Sequence, residues 1–223
     1  MEEKLFYNAL AISSQGNYKA LEKLRREHGS WERAWSAFRS KTDLPAKPEE
    51  AWKKIEAENI SLLLPDEPGF PPLLLEIPWP PFGIYVRGTL AVQSPSLAIV
   101  GTRRATLEGK AIARGFARTL AGYRFSLISG LALGIDGEAH AGCLEGKGYT
   151  VAVLGSGLDV IHPKTNERLA MRILESGGAL VSEYPLGTPP LPHRFLERHR
   201  LISGLAEGVL VVEAPAGSGA LAT

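Results

Sequence analysis

Cysteine is nearly absent: Cys143 is the only one in 223 residues. That excludes an internal disulfide framework and fits a reducing, cytoplasmic setting. Long apolar runs are missing too. No stretch approaches the roughly 18 uninterrupted apolar residues of a membrane span. The opening MEEKLFYNALAISSQG places two acids directly after Met1, and no apolar run there is long enough for a signal peptide. Neither sign of charge is in excess, with 25 Lys+Arg against 24 Asp+Glu. From Leu97 onward 13 Lys+Arg stand against 11 Asp+Glu, leaving 12 against 13 before it. Neither half is a basic surface, so any anion site must be a local cluster.

Several chemistry-bearing motifs are also missing. A Walker loop needs G-x-x-x-x-G-K-[ST]. Gly101 to Gly109 is too long for it, and Ala111 follows Lys110; Gly142 to Gly146 is too short, and Gly148 follows Lys147. The dinucleotide pattern G-x-G-x-x-G fails in GSGLDV, where Val160 takes the third glycine position. There is no H-E-x-x-H and no Cys/His cluster at metal spacing. Ser129 and Ser156 lack the G-x-S-x-G context of a nucleophile elbow.

What is present has the composition of an ordinary globular protein, 44% hydrophobic and 22% charged. Residues 1–60 read as a small helical module. LFYNALA, KALEKLRREHG, WERAWSAF and KPEEAWKKIEAEN carry helical apolar spacing, Gly16 and Gly29 punctuate them, and Ser30 caps the helix beginning near Trp31. Residues 61–96 form a proline-rich lead-in with two short strands, ISLLL and FGIYVRG. Its aromatics Phe70, Trp79, Phe82 and Tyr85 are expected to pack against the next domain. From 97 to 223, five apolar runs alternate with helical stretches: LAIVG, FSLISG, YTVAVLG, GGALVSE and GVLVVEA. Strands apolar on both faces that alternate with helices indicate a doubly wound, Rossmann-like α/β fold with a mostly parallel sheet. The chain stops just after the last of these strands, at GSGALAT, and so reads as truncated at its C-terminus.

In such folds ligands bind beyond the carboxyl ends of the strands. Those ends here carry Gly101-Thr102-Arg103, then Gly130 with LALGIDGEAH, then GSGLDVIHPKTN, then Glu183, then Glu213. Small residues allow close backbone approach, and helix starts favour anions. Asp136 and His140, four apart, are either a functional pair or a tie between loop and helix, with Asp136 placed to be the N-cap. Cys143 reads as a buried structural thiol. Glu183 and Glu213 are either an acid–base pair or partners for the arginines of HRFLERHRLISGLA. In that segment Arg198 and Arg200, two apart, share a side if it is extended. Tyr184 and Phe195 lie near the loops, as base platforms or as core.

AIVGTR, LISGLALGIDGEAH, TVAVLGSGLD, HPKTN, GGALVSEYPLG and RFLERHRLISGLAEGVLVVEA, followed by GSGALAT, together resemble the DNA-processing protein A (DprA, or Smf) family, from about Leu62 to the last residue. The resemblance implies a homodimeric binder of single-stranded DNA. Such a protein protects incoming DNA in natural transformation and helps load the recombinase RecA, with no catalytic residues, metal or cofactor. It places the DNA site at Gly101, Thr102, Arg103 and Lys164, extended to Arg104, Asn166, Arg168, Arg198 and Arg200. This chain departs from the family pattern at Thr102, usually Ser, at His162, usually Tyr, and at His199, usually Asn. The rival reading is a nucleotide or nucleoside-phosphate hydrolase on a related fold, with Glu183 or Glu213 as base.

Overall fold

The computed structural model describes residues 2–39, 47–93 and 95–223. Residues 1 and 40–46 of the expected helical module, and Ser94 of the lead-in, lie outside the described residues. Four helices open the chain: α1 (Glu2–Ser13), α2 (Tyr18–His28), α3 (Trp31–Arg39) and α4 (Pro48–Ala57). Their ends follow local chemistry. Asn17 caps α2 by accepting from Ala20 N at 3.0 Å, and Gly29 ends it at φ 76°. Ser30 Oγ accepts from Arg33 N, and the Glu3 carboxylate accepts from Trp31 N and Glu32 N. The start of α3 is thus capped twice.

Strands β1 (Ile60–Leu63) and β2 (Ile84–Gly88) flank the prolines. The core then alternates β3 (Ser96–Val100), α5 (Leu107–Gly122), β4 (Ser126–Ser129), α6 (Ile135–Glu145), β5 (Thr150–Leu154), α7 (Glu167–Glu175) and β6 (Ala179–Ser182). Two short helices, α8 (Pro192–Glu197) and α9 (His199–Gly204), lead to β7 (Gly208–Val211). The strand order is β1-β2-β6-β5-β4-β3-β7. The five strands β6-β5-β4-β3-β7 run parallel, while β2 joins β6 antiparallel and β1 joins β2 antiparallel. This is a Rossmann-like α/β fold with a mostly parallel sheet.

Strands β4, β5 and β6 are buried at every residue because both of their faces are covered, which is why they are mainly apolar, whereas edge strand β7 leaves Val209 and Val211 exposed. On one face Ala113, Ala117 and Ala121 of α5 meet Ala139 and Cys143 of α6 over Ile99 and Leu127. These helices approach closely: a Cβ on Gly142 would lie 2.2 Å from the Arg114 carbonyl oxygen. Farther along, Tyr7, Leu10, Trp31 and Ile55 of the N-terminal helices join Leu62, Tyr85, Leu154 and Leu180 in one apolar cluster. The Tyr85 hydroxyl donates to Asn8 Oδ1 at 2.9 Å inside it. On the opposite face Leu201, Ile202 and Leu205 pack with Phe70 and Leu74 over Val86, Val100, Ile128 and Val153.

Four expectations need correction or completion. The segment 192–204 is helical rather than extended, so Arg198 and Arg200 do not share a side. Gly134, not Asp136, is the N-cap of α6, and Asp136 sits in its first turn. Phe70, Phe82 and Tyr85 do pack inward, whereas Trp79 is 68% exposed at φ 55°. His140 is tied to Thr150, with Nδ1 2.8 Å from the hydroxyl. Because Thr150 Oγ1 donates to Leu127 O, the imidazole proton belongs on Nδ1. Burial pushes the His140 pKa down to about 3, so the ring is neutral and structural. Cys143 is buried as expected, its thiol pushed up to about 12 by desolvation.

Candidate nucleic-acid interface

The chain moves from β3 through β4, β5 and β6 in one direction, and β7 lies on the other side of β3. A crevice opens at such a reversal, beyond the carboxyl ends of the strands. The loop 101–106 lines it and is held by its neighbours. Thr102 N donates to Glu213 O at 2.7 Å, and Thr102 O accepts from Ile135 N at 3.3 Å. The Glu213 carboxylate accepts from Thr106 N and Thr106 Oγ1, and that same hydroxyl caps α5 by accepting from Gly109 N at 2.9 Å. Two glycines make room. A Cβ on Gly101 would lie 2.5 Å from Ile135 Cγ1, and one on Gly134, at φ 75°, only 2.3 Å from Thr102 O.

The second wall is α8 and α9. Arg198, only 3% exposed, enters beneath the crevice. Its Nη1 donates to Val153 O at 2.7 Å and to Gly130 O, and its Nη2 lies 4.0 Å from Asp136 Oδ2. Asp136 in turn accepts from Gly130 N. Burial lowers the Arg198 pKa to about 10, which leaves it charged at neutral pH, and burial raises that of Asp136. Arg103, by contrast, is exposed and lies 4.9 Å above the Phe195 ring; the Arg198 guanidinium approaches the same ring at 5.3 Å. His162 completes the aromatic patch, 5.4 Å from Phe195 between ring centres. The cavity so enclosed measures about 350 Å³. Main-chain groups, a free guanidinium and a ring face at one opening suit a flexible polyanion that carries planar groups.

Comparison with known proteins gives the chain a family. The family model for DNA recombination-mediator protein A matches residues 61–223. The chain belongs to this family. Protein Smf of Escherichia coli K12 is 48% identical to it over 170 residues, covering 76% of this chain and 46% of Smf. Smf of Synechocystis is 44% identical over 173 residues, 75% of this chain and 43% of that protein. The chain thus spans less than half the length of these two curated relatives. The X-ray structure of DNA processing protein A from Streptococcus pneumoniae superposes with a TM-score of 0.73 at 33% identity, over 85% of this chain and 64% of that one. DNA processing protein A from Helicobacter pylori, a protein with a unique single-stranded DNA binding mode, superposes with a TM-score of 0.60 at 29% identity, over 73% of each chain.

The nine residues to which the family resemblance pointed fall into three groups. Gly101, Thr102, Arg103, Arg104 and Arg198 line the strand-end cavity. Lys164, Asn166 and Arg168 sit on the turn and first helical residues that open α7. Asn166 Nδ2 donates to Leu131 O at 2.9 Å and Ala132 O at 3.1 Å, which holds that turn against the loop after β4. Lys164 and Arg168 are exposed beside it. Arg200 is elsewhere: it pairs with the buried Glu183 and faces a different cavity. The carboxylates open to an acid–base role are therefore both engaged, Glu183 with Arg200 and Glu213 with Thr106. Gly134 was not singled out in the sequence, although a glycine directly before I-D-G-E, at a helix start, was its signal. Among the described residues no group of three or more His, Cys, Asp or Glu is gathered for a metal, and no helix is long and apolar enough to cross a membrane.

Proposed function

We propose that this chain binds single-stranded DNA, with the phosphates at the 101–104 loop and at Arg103, whose guanidinium the Phe195 ring backs. The observation that carries the reading is the exposed Arg103 guanidinium stacked over Phe195, at a main-chain loop fixed by Gly101, Gly134 and Glu213. Lys164 and Arg168 continue the strand's path on the turn that Asn166 positions. Arg198 acts from beneath as a structural cation. Phosphate contacts are sequence-tolerant, so the reading predicts little base preference. Protection of incoming DNA in transformation, delivery to the recombinase RecA, homodimer formation and the lack of any catalytic role are part of the same proposal, supported by family membership. The hydrolase reading is disfavoured because neither candidate base lines the strand-end cavity: Glu183 pairs with Arg200 and Glu213 holds Thr106.

Charge reversal tests this directly. Arg103→Glu and Lys164→Glu are expected to weaken binding of a labelled oligo-dT by tenfold or more while the thermal midpoint stays at the parent value, since both side chains are exposed. A variant that keeps the parent affinity removes its residue from the site.

A further inference from the structure

A second cavity, of about 430 Å³, lies on the other side of α8 and α9, between them and the turn from α1 to α2. Nothing in the strand-end site uses it. Its size is that of a small-ligand pocket. Trp79, Tyr18 and Tyr184 contribute to its lining. Trp79 is 68% exposed, while Trp31 and Trp35 are buried and Trp52 is half-buried. Its backbone sits at φ 55°, a left-handed conformation costly for a bulky residue. The fold therefore accepts strain to hold an indole in water at the mouth of a cavity. Tyr18 is braced from behind by Phe82, stacked at 5.0 Å, and the Arg200 guanidinium lies 5.7 Å from its ring.

The charges of this cavity cancel. Lys19, Arg194 and Arg200 line it together with Glu22, Glu183 and Glu197. Arg200 is engaged by Glu183, and Arg194 by the carbonyls of Pro189 and Gln15. Such a cavity does not gather phosphates. Nor does it suit an apolar side chain, which would bury charged groups without partners. A planar ring whose edge carries both donors and acceptors fits both features. The two cavities lie on either side of the start of α8: Leu191 and His193 line this one, while Pro192 between them lines the strand-end cavity.

We infer that this second cavity takes a nucleobase of the same DNA strand, stacked on Trp79, after the strand crosses the start of α8. The inference rests on the strand-end pocket being the primary DNA site. It makes the footprint of one subunit longer than that pocket alone, and it adds stacking without adding a phosphate contact.

The test compares anisotropy of a labelled five-nucleotide and a labelled twenty-nucleotide oligo-dT on the parent chain, Trp79→Ala and Trp79→Phe. Stacking of one base, removed by alanine, corresponds to a loss of at least about fivefold. Trp79→Ala is expected to lose that much for the longer strand and nothing for the shorter one, with an unchanged dependence on salt. Trp79→Phe is expected to restore part of the loss. Tryptophan emission should also be quenched by the longer strand in the parent and less so in Trp79→Ala. If Trp79→Ala binds both strands as the parent does, this inference falls and the strand-end site stands. If free thymidine quenches Trp79 as strongly as the longer strand at equal concentration, the cavity is a nucleoside site and the strand path is wrong. If the folded parent binds neither strand, both readings fall together.

Discussion

Two arginines approach the face of Phe195 and have opposite fates. Arg103 is exposed and free to meet a ligand, whereas Arg198 is buried and holds the floor. Arg198→Ala would strip hydrogen bonds from the carbonyls of Gly130 and Val153 and leave Asp136 buried without its cation. Breaking a buried pair in this way costs about 3–5 kcal/mol. Urea unfolding of that variant should therefore show a markedly lower midpoint. A parent-like midpoint would mean that Arg198 is not structural. The sequence alone could not separate these two residues. Both are arginines beside glycines and histidines, and only burial distinguishes a guanidinium that binds main-chain carbonyls from one that awaits phosphate.

At the level of elements, the periodic segments were readable and the short ones were not. Five apolar runs became β3 to β7, and the signal is strongest at β4, β5 and β6, where a sheet covered on both faces buries every position. The helices between them showed because small residues recur along α5, where Ala113, Ala117 and Ala121 are buried. The helices α8 and α9 escaped notice for a physical reason. Each has six residues, and their buried members include Arg194, so no apolar stripe marks them. Only Pro192 at the first position of α8 signalled a helix start. The loop after β3 is likewise set by its neighbours. Gly134→Ala would force a Cβ into Thr102 O and a positive φ on alanine. The 101–104 loop must then shift, and oligo-dT affinity is expected to fall by tenfold or more, although residue 134 carries no charge. Unchanged affinity would show that the loop's main-chain position does not matter to binding.

Over the whole molecule, the N-terminal helices and the sheet share one apolar cluster, with Asn8 and Tyr85 joined inside it. The helical segments were apparent from spacing, but their contribution to the common core was not, because the partners lie some 75 residues away: Tyr7 and Gly83, Asn8 and Tyr85. That packing also builds the wall of the second cavity. Charge shows the same dependence on scale. A net charge of +1 conceals four exposed cations, Arg103 and Arg104 at the strand-end cavity and Lys164 and Arg168 on the turn that Asn166 ties to the loop after β4. If all four meet phosphates, the logarithm of affinity should fall with the logarithm of salt at a slope of about −3. The measurement that tests the account most directly is fluorescence anisotropy of a labelled oligo-dT titrated with this chain at two salt concentrations, beside a duplex of equal length and with ATP as competitor. The account predicts tighter binding of the single strand, a slope no steeper than about −3, and indifference to ATP. A folded chain that leaves the strand unbound, or that releases it to ATP, would contradict it.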